Sequence, residues 1–199
     1  MSAKKSEDLD TEQLIIDTAL KVFFTEGRFK ATTQEIADAA GVNRTLINYY
    51  FRSRDNLLES VFEYAHKKEH ETMERITFSE LPLKEKVRKH IEMSYQQAEK
   101  YPYLEMYMVT QMNQGNCYKD NEAMGRMLDK FYLEIGLEME KGNIEKMRPE
   151  QFVLNLVSLM SFPISMRVLF QESMGFTKEG YDRLLAERTE IIMKMLFIN

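Results

Sequence analysis

Little in this chain interrupts a helix, and little carries reactive chemistry. Its 199 residues include only 8 Gly and 4 Pro, and the strict apolar–polar alternation of strands is hard to find, so the chain reads as all-α. The one cysteine, Cys117, excludes an internal disulfide framework and suits a reducing cytoplasm. Alone beside a turn it reads as a passive thiol, with oxidant sensing as the alternative. The opening MSAKKSEDLD has no apolar h-region, so no secretion signal is expected. No Gly-rich phosphate loop, nucleophile elbow or metal-ligand cluster stands out, so neither an enzyme nor a cofactor is expected. His66 and His70 lie at i, i+4 in HKKEH, a spacing that can grip a metal from one helix face. With lysines between them and no third ligand nearby, a solvent-facing pair is the better reading.

What is present is a globular balance, 44% hydrophobic and 30% charged, with a net charge of -5. That net charge conceals an uneven distribution. Arg28 to Arg54 holds five cations (Arg28, Lys30, Arg44, Arg52, Arg54) against Glu35 and Asp38, a local +3 that leaves -8 for the remainder. A positive patch on an acidic protein favours phosphate locally and limits non-specific adhesion.

Within that patch, TTQEIADAAGVNRTLINYYF (residues 32–51) has the periodicity of two short helices around a tight turn. Thr32 followed by Glu35 fits a capping box, Gly41 suits the positive φ at the first helix's end, and Asn43 can cap the second. Ile36, Ala37 and Ala40, then Leu46, Ile47 and Tyr50, form the apolar faces. A pair joined in this way is a helix-turn-helix, whose second helix enters the DNA major groove. Thr33, at the first helix's N-terminus, suits a phosphate. Arg44, Thr45, Asn48 and Tyr49 are the candidates for base edges, with Gln34 reaching in from the preceding helix. For each of these the competing reading is a solvated helix surface, and Tyr49 has a second alternative in packing against the first helix.

The same residues resemble the N-terminal pattern of the TetR family of bacterial transcription regulators. The resemblance rests on Ala19 and Phe23, then Gly27, Thr32, Ile36-Ala37, Ala40-Gly41-Val42, Tyr50-Phe51, and Ser53-Arg54 before Leu57. Two departures matter. Thr45-Leu46-Ile47-Asn48 stands where the family often has Gly-Thr-Leu-Tyr, which suggests a different base preference. Arg54 stands where the family usually has Lys, which keeps a cation for phosphate. The resemblance implies that Tyr50 and Arg54 contact phosphate, that the protein is a homodimer, and that an effector pocket lies between helices. Its occupancy would move the fourth helix and change the spacing of two reading heads.

Along the chain, residues 1–10 read as a polar frayed arm, and Thr11–Glu26 as a helix facing inward through Leu14, Ile15, Thr18, Ala19, Val22 and Phe23. Phe24 and Phe29 are expected at the edges of this small core. The head takes residues 1–54 and a larger helical effector-binding and dimerisation domain takes 55–199, with a helix over about 54–76 connecting them. About nine helices are expected in all. After Ser79–Pro82 the character changes: 14 of the 15 Met lie at or beyond Met73. Helices follow over Leu83 to about Lys100, Tyr103–Gln114, Asp120 to about Lys141, a segment from Pro149, and about Thr177–Phe197. Phe152–Phe170 is apolar on most faces but is interrupted by Asn155, Ser158, Ser161, Ser165 and Arg167, which argues against a membrane span. It reads instead as core on one side and a partner subunit on the other, kinked at Pro163. The last two helices, packed on their symmetry mates, would give a four-helix dimer interface.

Met93, Tyr107, Met108, Met112, Met127, Phe131 and Phe162 are the candidate lining of the effector chamber, since Met adapts to irregular shapes. The alternative for each is ordinary core packing. Such a chamber favours a small hydrophobic effector. The leading expectation is a ligand-responsive dimeric repressor on a pseudo-palindromic operator. A transcriptional activator, or a helical DNA-binding adaptor without sequence preference, is the alternative.

Overall fold

A computed structural model describes the backbone of residues 2–115 and 121–198, with side chains from residue 10 onward except for 116–121. Among the described residues there are ten α-helices and no strand: α1 (Ser2–Leu20), α2 (Thr33–Ala40), α3 (Arg44–Phe51), α4 (Arg54–Thr77), α5 (Leu83–Lys100), α6 (Leu104–Asn113), α7 (Asn121–Glu140), α8 (Pro149–Ser165), α9 (Arg167–Met174) and α10 (Lys178–Leu196). They fall into two compact units. The first holds residues 1–70 and 101–104, and the second holds 71–100 and 105–199.

Two corrections concern the first helix. It begins at Ser2, not Thr11, because no Gly or Pro interrupts residues 2–20. After Leu20 it widens into a π turn, Lys21–Thr25, closed by Glu26 N–H on the Lys21 carbonyl at 2.9 Å. The wider turn puts the consecutive residues Val22, Phe23 and Phe24 all into the core. Phe24 is therefore central, not at the edge, and meets Phe23 and Phe29 edge-on at 6.3 and 5.9 Å. Leu14, expected inside, is exposed, and Leu20 is buried. Tyr103 closes this unit. Its N–H donates to the Phe24 carbonyl at 3.1 Å, and its ring stands where a Cβ on Gly27 (φ 69°) would be, at 2.9 Å. The core is small, so each fully buried Phe or Ile matters, at roughly 1.5–3 kcal/mol apiece.

In the second unit, Val87, Ile91, Tyr95 and Ala98 bury one face of α5 against α7, α8 and α10, with Phe131, Ile135, Phe152, Leu185 and Ile192 in the same core. The expected kink at Pro163 takes another form. α8 runs through Pro163 and breaks at Met166 (φ -99°, ψ 18°), turning 64° into α9, so one expected helix is two. Proline has no N–H for the carbonyl four residues back, and the Arg188 Nη2 serves that Leu159 carbonyl instead, at 2.7 Å. The Tyr181 hydroxyl donates to the Pro163 carbonyl at 2.8 Å. Among the described residues no single helix is long and apolar enough to cross a membrane; α8 and α9 reach that length only as a bent pair.

Candidate nucleic-acid interface

The first unit holds α2 and α3 by caps that its sequence dictates. Thr32 Oγ1 accepts the Glu35 N–H at 3.2 Å, and Glu35 Oε2 accepts the Thr32 N–H at 2.8 Å. The Thr32 N–H and hydroxyl, both donating to Glu35 Oε2 at 2.8 Å, with Arg28 beyond them, lower the Glu35 pKa. Gly41 (φ 67°, ψ 27°) ends α2 in the left-handed region, and Val42 N–H returns to the Ala37 carbonyl at 3.0 Å. Asn43 Oδ1 then accepts the Thr45 N–H at 2.9 Å and opens α3. Ser53 Oγ accepts the Asn56 N–H at 3.1 Å at the start of α4.

α3 is anchored by Ile47 and Phe51, which are buried at i, i+4, while Leu46 and Tyr50 are half-buried. That leaves Arg44, Thr45, Asn48 and Tyr49 exposed on the opposite side. Tyr49 is 73% exposed and meets Tyr50 edge-on at 5.0 Å, so it does not pack against α1. The side chains of Arg44 and Asn48 have no partner among the described residues and are free to reach outward. Thr45 is less free, since its hydroxyl donates to Asn43 Oδ1 at 2.7 Å. Gln34 is exposed but holds Asp38 Oδ1 through its Nε2 at 2.7 Å. Thr33 stands half-buried as the first residue of α2.

The five cations divide by role. Arg28 pairs with Glu35 at 2.7 Å and with Glu26 at 3.4 Å. Arg54 gives Nε to the Ala31 carbonyl at 2.9 Å and Nη1 to Asp55 at 2.7 Å, with its guanidinium 5.7 Å from the Phe23 ring centroid. Much of Arg54 therefore bolts α4 to the segment before α2. Lys30, Arg44 and Arg52 are exposed and make no ion pair among the described residues. Sequence reasoning gave Lys30 and Arg52 no individual role. Arg52 is the described non-glycine residue with positive φ (66°), at the C-cap of α3, and no residue type or spacing signals that.

The chamber candidates lie in the second unit and differ in burial. Met127 and Phe131 are core residues, Phe131 edge-on to His90 at 5.9 Å. Met93, Tyr107, Met108 and Met112 are half-buried. Phe162 is on the outside of the protomer, 56% exposed and edge-on to Phe170 at 5.9 Å. His66 and His70 have their rings stacked at 6.3 Å, and no group of three His, Cys, Asp or Glu poised for a metal occurs among the described residues. Cys117 lies outside the described residues.

Known proteins share this head. Residues 15–61 match the family described as "Bacterial regulatory proteins, tetR family". The HTH-type transcriptional regulator AcrR of Shigella flexneri is 37% identical over 61 residues, which is 31% of this chain and 28% of AcrR. The chain thus matches little more than a quarter of that relative's length. A TetR family transcription regulator from Marinobacter aquaeolei VT8 superposes with a TM-score of 0.62 at 16% identity, covering 98% of this chain and 100% of that one. The transcriptional regulator FadR from Bacillus subtilis, solved in complex with stearoyl-CoA, gives 0.59 at 19% identity over 92% and 97% of the two chains. At such identities the likeness is one of fold.

Proposed function

For a chain that belongs to the TetR family by its head and has that family's fold, we propose a dimeric transcription repressor that releases its operator on binding a hydrophobic small molecule. One observation carries the reading: α3 is pinned inward by Ile47 and Phe51 and presents Arg44 and Asn48 outward without internal partners. Arg suits guanine O6 and N7, and Asn suits adenine N6 and N7. Tyr49 adds an exposed ring to the same face. Thr33, Tyr50 and the remaining donors of Arg54 are the phosphate contacts in this scheme, with Thr45 and Gln34 as secondary base contacts.

Homodimerisation through α8 and α10 is supported by what those helices leave uncovered. Leu154, Val157 and Phe162 on α8, with Leu184, Ile191 and Met195 on α10, are exposed in the protomer. Large apolar side chains recurring on neighbouring helices are the mark of a partner surface. A two-fold pair presents two copies of α3, and so selects an operator with inverted half-sites. The effector reading is supported by the half-buried Met93, Tyr107, Met108 and Met112, and by a neighbour of the same fold that was solved with a fatty-acyl ligand. Helices α4 and α6 have residues in both units, which suits them to carry a change from one to the other.

The test is substitution on α3. Arg44→Ala is expected to lose about 1–3 kcal/mol, roughly fivefold to 150-fold in operator affinity at physiological salt, with dimer and thermal melt unchanged. Asn48→Ala is expected to relax preference at one position of the half-site and not to weaken all sequences alike. Wild-type operator affinity for Arg44→Ala in a gel shift would reject the assignment of α3.

A further inference from the structure

Three polar side chains on α5, α9 and α10 have no part in the head and are incompletely satisfied by the fold. Arg167, 6% exposed, gives Nη1 to Asp182 Oδ1 at 2.6 Å, and its guanidinium lies 5.3 Å from the Tyr181 ring centroid. Its Nε and Nη2 are buried with no hydrogen-bond partner. Arg188 gives Nη2 to the Leu159 carbonyl at 2.7 Å, and its Nε is likewise buried and unpartnered. Tyr95, 8% exposed, turns its hydroxyl toward Arg188 without completing a well-formed hydrogen bond. These three residues own four of the five unpartnered buried polar side-chain atoms found among the described residues. Tyr181 joins them: its ring lies under Arg167, its hydroxyl holds the Pro163 carbonyl one helical turn from the Leu159 carbonyl that Arg188 holds, and Arg188 faces Tyr95.

The free guanidinium atoms can only donate, and the Tyr95 hydroxyl has a proton to give, whereas that of Tyr181 is spent on the Pro163 carbonyl. The charges do not cancel either. Arg167 and Arg188 bring two positive charges and Asp182 one negative, and no carboxylate pairs with Arg188 among the described residues. Folding does not leave buried donors and an uncompensated cation without a reason. The missing complement is a single negative charge with acceptor oxygens, and a planar carboxylate is the group that guanidinium geometry fits best. Beside the cluster runs an aromatic row: Phe170 to Tyr181 at 6.4 Å and Tyr181 to Phe176 at 6.2 Å. An apolar body attached to the carboxylate has a surface to lie on.

We propose that Arg167, Arg188 and Tyr95 anchor the carboxylate of an effector that is a hydrophobic monocarboxylic acid. This rests on the ligand-responsive reading above and deepens it by giving the apolar effector a charged end. Calorimetric titration of the full chain with decanoate, 1-decanol and decanoyl-CoA, near neutral pH and below micelle formation, tests it. Decanoate is expected to bind about tenfold or more tightly than decanol. Tyr95→Phe, which takes away the hydroxyl that faces Arg188, is expected to weaken decanoate about threefold or more and leave decanol unchanged, with its melt recorded alongside. Arg188→Met is expected to abolish the preference for acid over alcohol; because Arg188 also serves the Leu159 carbonyl, its melt is recorded alongside.

Equal binding of acid and alcohol, binding of neither, or an acid preference that Tyr95→Phe leaves undiminished would overturn the anchor. Decanoyl-CoA, which has no free carboxyl, would overturn it by binding more tightly than the acid and ignoring Tyr95→Phe. The two proposals fail separately in a parallel gel shift. Operator release by decanol or decanoyl-CoA, untouched by the variants, removes the carboxylate anchor alone. Decanoate bound through the cluster without operator release removes the repressor reading alone.

Discussion

On α5, Lys86 and His90 share the inward face with Val87, Ile91 and Tyr95, and both are buried. Lys86, 1% exposed, reaches Glu134 at 2.7 Å and the Thr77 carbonyl at 2.9 Å, so its charge is paired and the last turn of α4 gains a donor. His90 has no such partner for Nδ1, and burial, with Lys86 nearby, lowers its pKa from 6.5 to about 4. A base whose folded pKa is depressed takes up its proton more readily when unfolded. Stability is then intact above 6.5 and falls as pH drops from there toward 4, by about 3 kcal/mol at most. His90→Asn is expected to flatten this part of the melting-temperature profile, and an unchanged acid slope in that variant would show that another group is responsible. Neither residue was legible in the sequence, because Lys and His at helical spacing read as a solvated face and only three-dimensional packing buries them. Arg44 and Asn48 were legible because polar residues opposite Ile47 and Phe51 have only the outside to face.

At the scale of the element, short helices were read closely because their ends are written in side-chain chemistry. Thr32, Gly41 and Asn43 each make the cap their residue type suggests. Thr32→Ala is expected to cost about 1 kcal/mol, read as a lower urea midpoint at neutral pH. Glu35, the other half of that box, has a lowered pKa, so its contribution is present above the usual carboxylate value and is lost as pH falls through the depressed one. The gap between wild type and Thr32→Ala should therefore narrow in acid; a constant gap would mean that the reciprocal Glu35 bond adds nothing. The π turn at Lys21–Thr25 was not legible, since it follows from burying three consecutive residues against Phe29 and Tyr103, which no local pattern announces. The break at Met166 was misplaced for a related reason. Pro163 is accommodated inside α8 because Arg188, distant in sequence, serves the carbonyl it leaves bare.

For the molecule as a whole, the division of charge and of apolar surface carries the functional reading. A chain of net charge -5 concentrates +3 between Arg28 and Arg54. Three of those five cations, Lys30, Arg44 and Arg52, are exposed without ion pairs, so the attraction to phosphate belongs to the head and should weaken with salt. In the proposed dimer the exposed apolar residues of α8 and α10 meet a second copy, which would set the symmetry of the DNA site. The most direct test of this account is selection of bound duplexes from a random library by the full-length protein, at physiological salt. The account predicts enrichment of one sequence made of two inverted half-sites separated by about one helical turn or a multiple of it. Recovery of unenriched sequence, bound with equal and purely salt-dependent affinity, would contradict it.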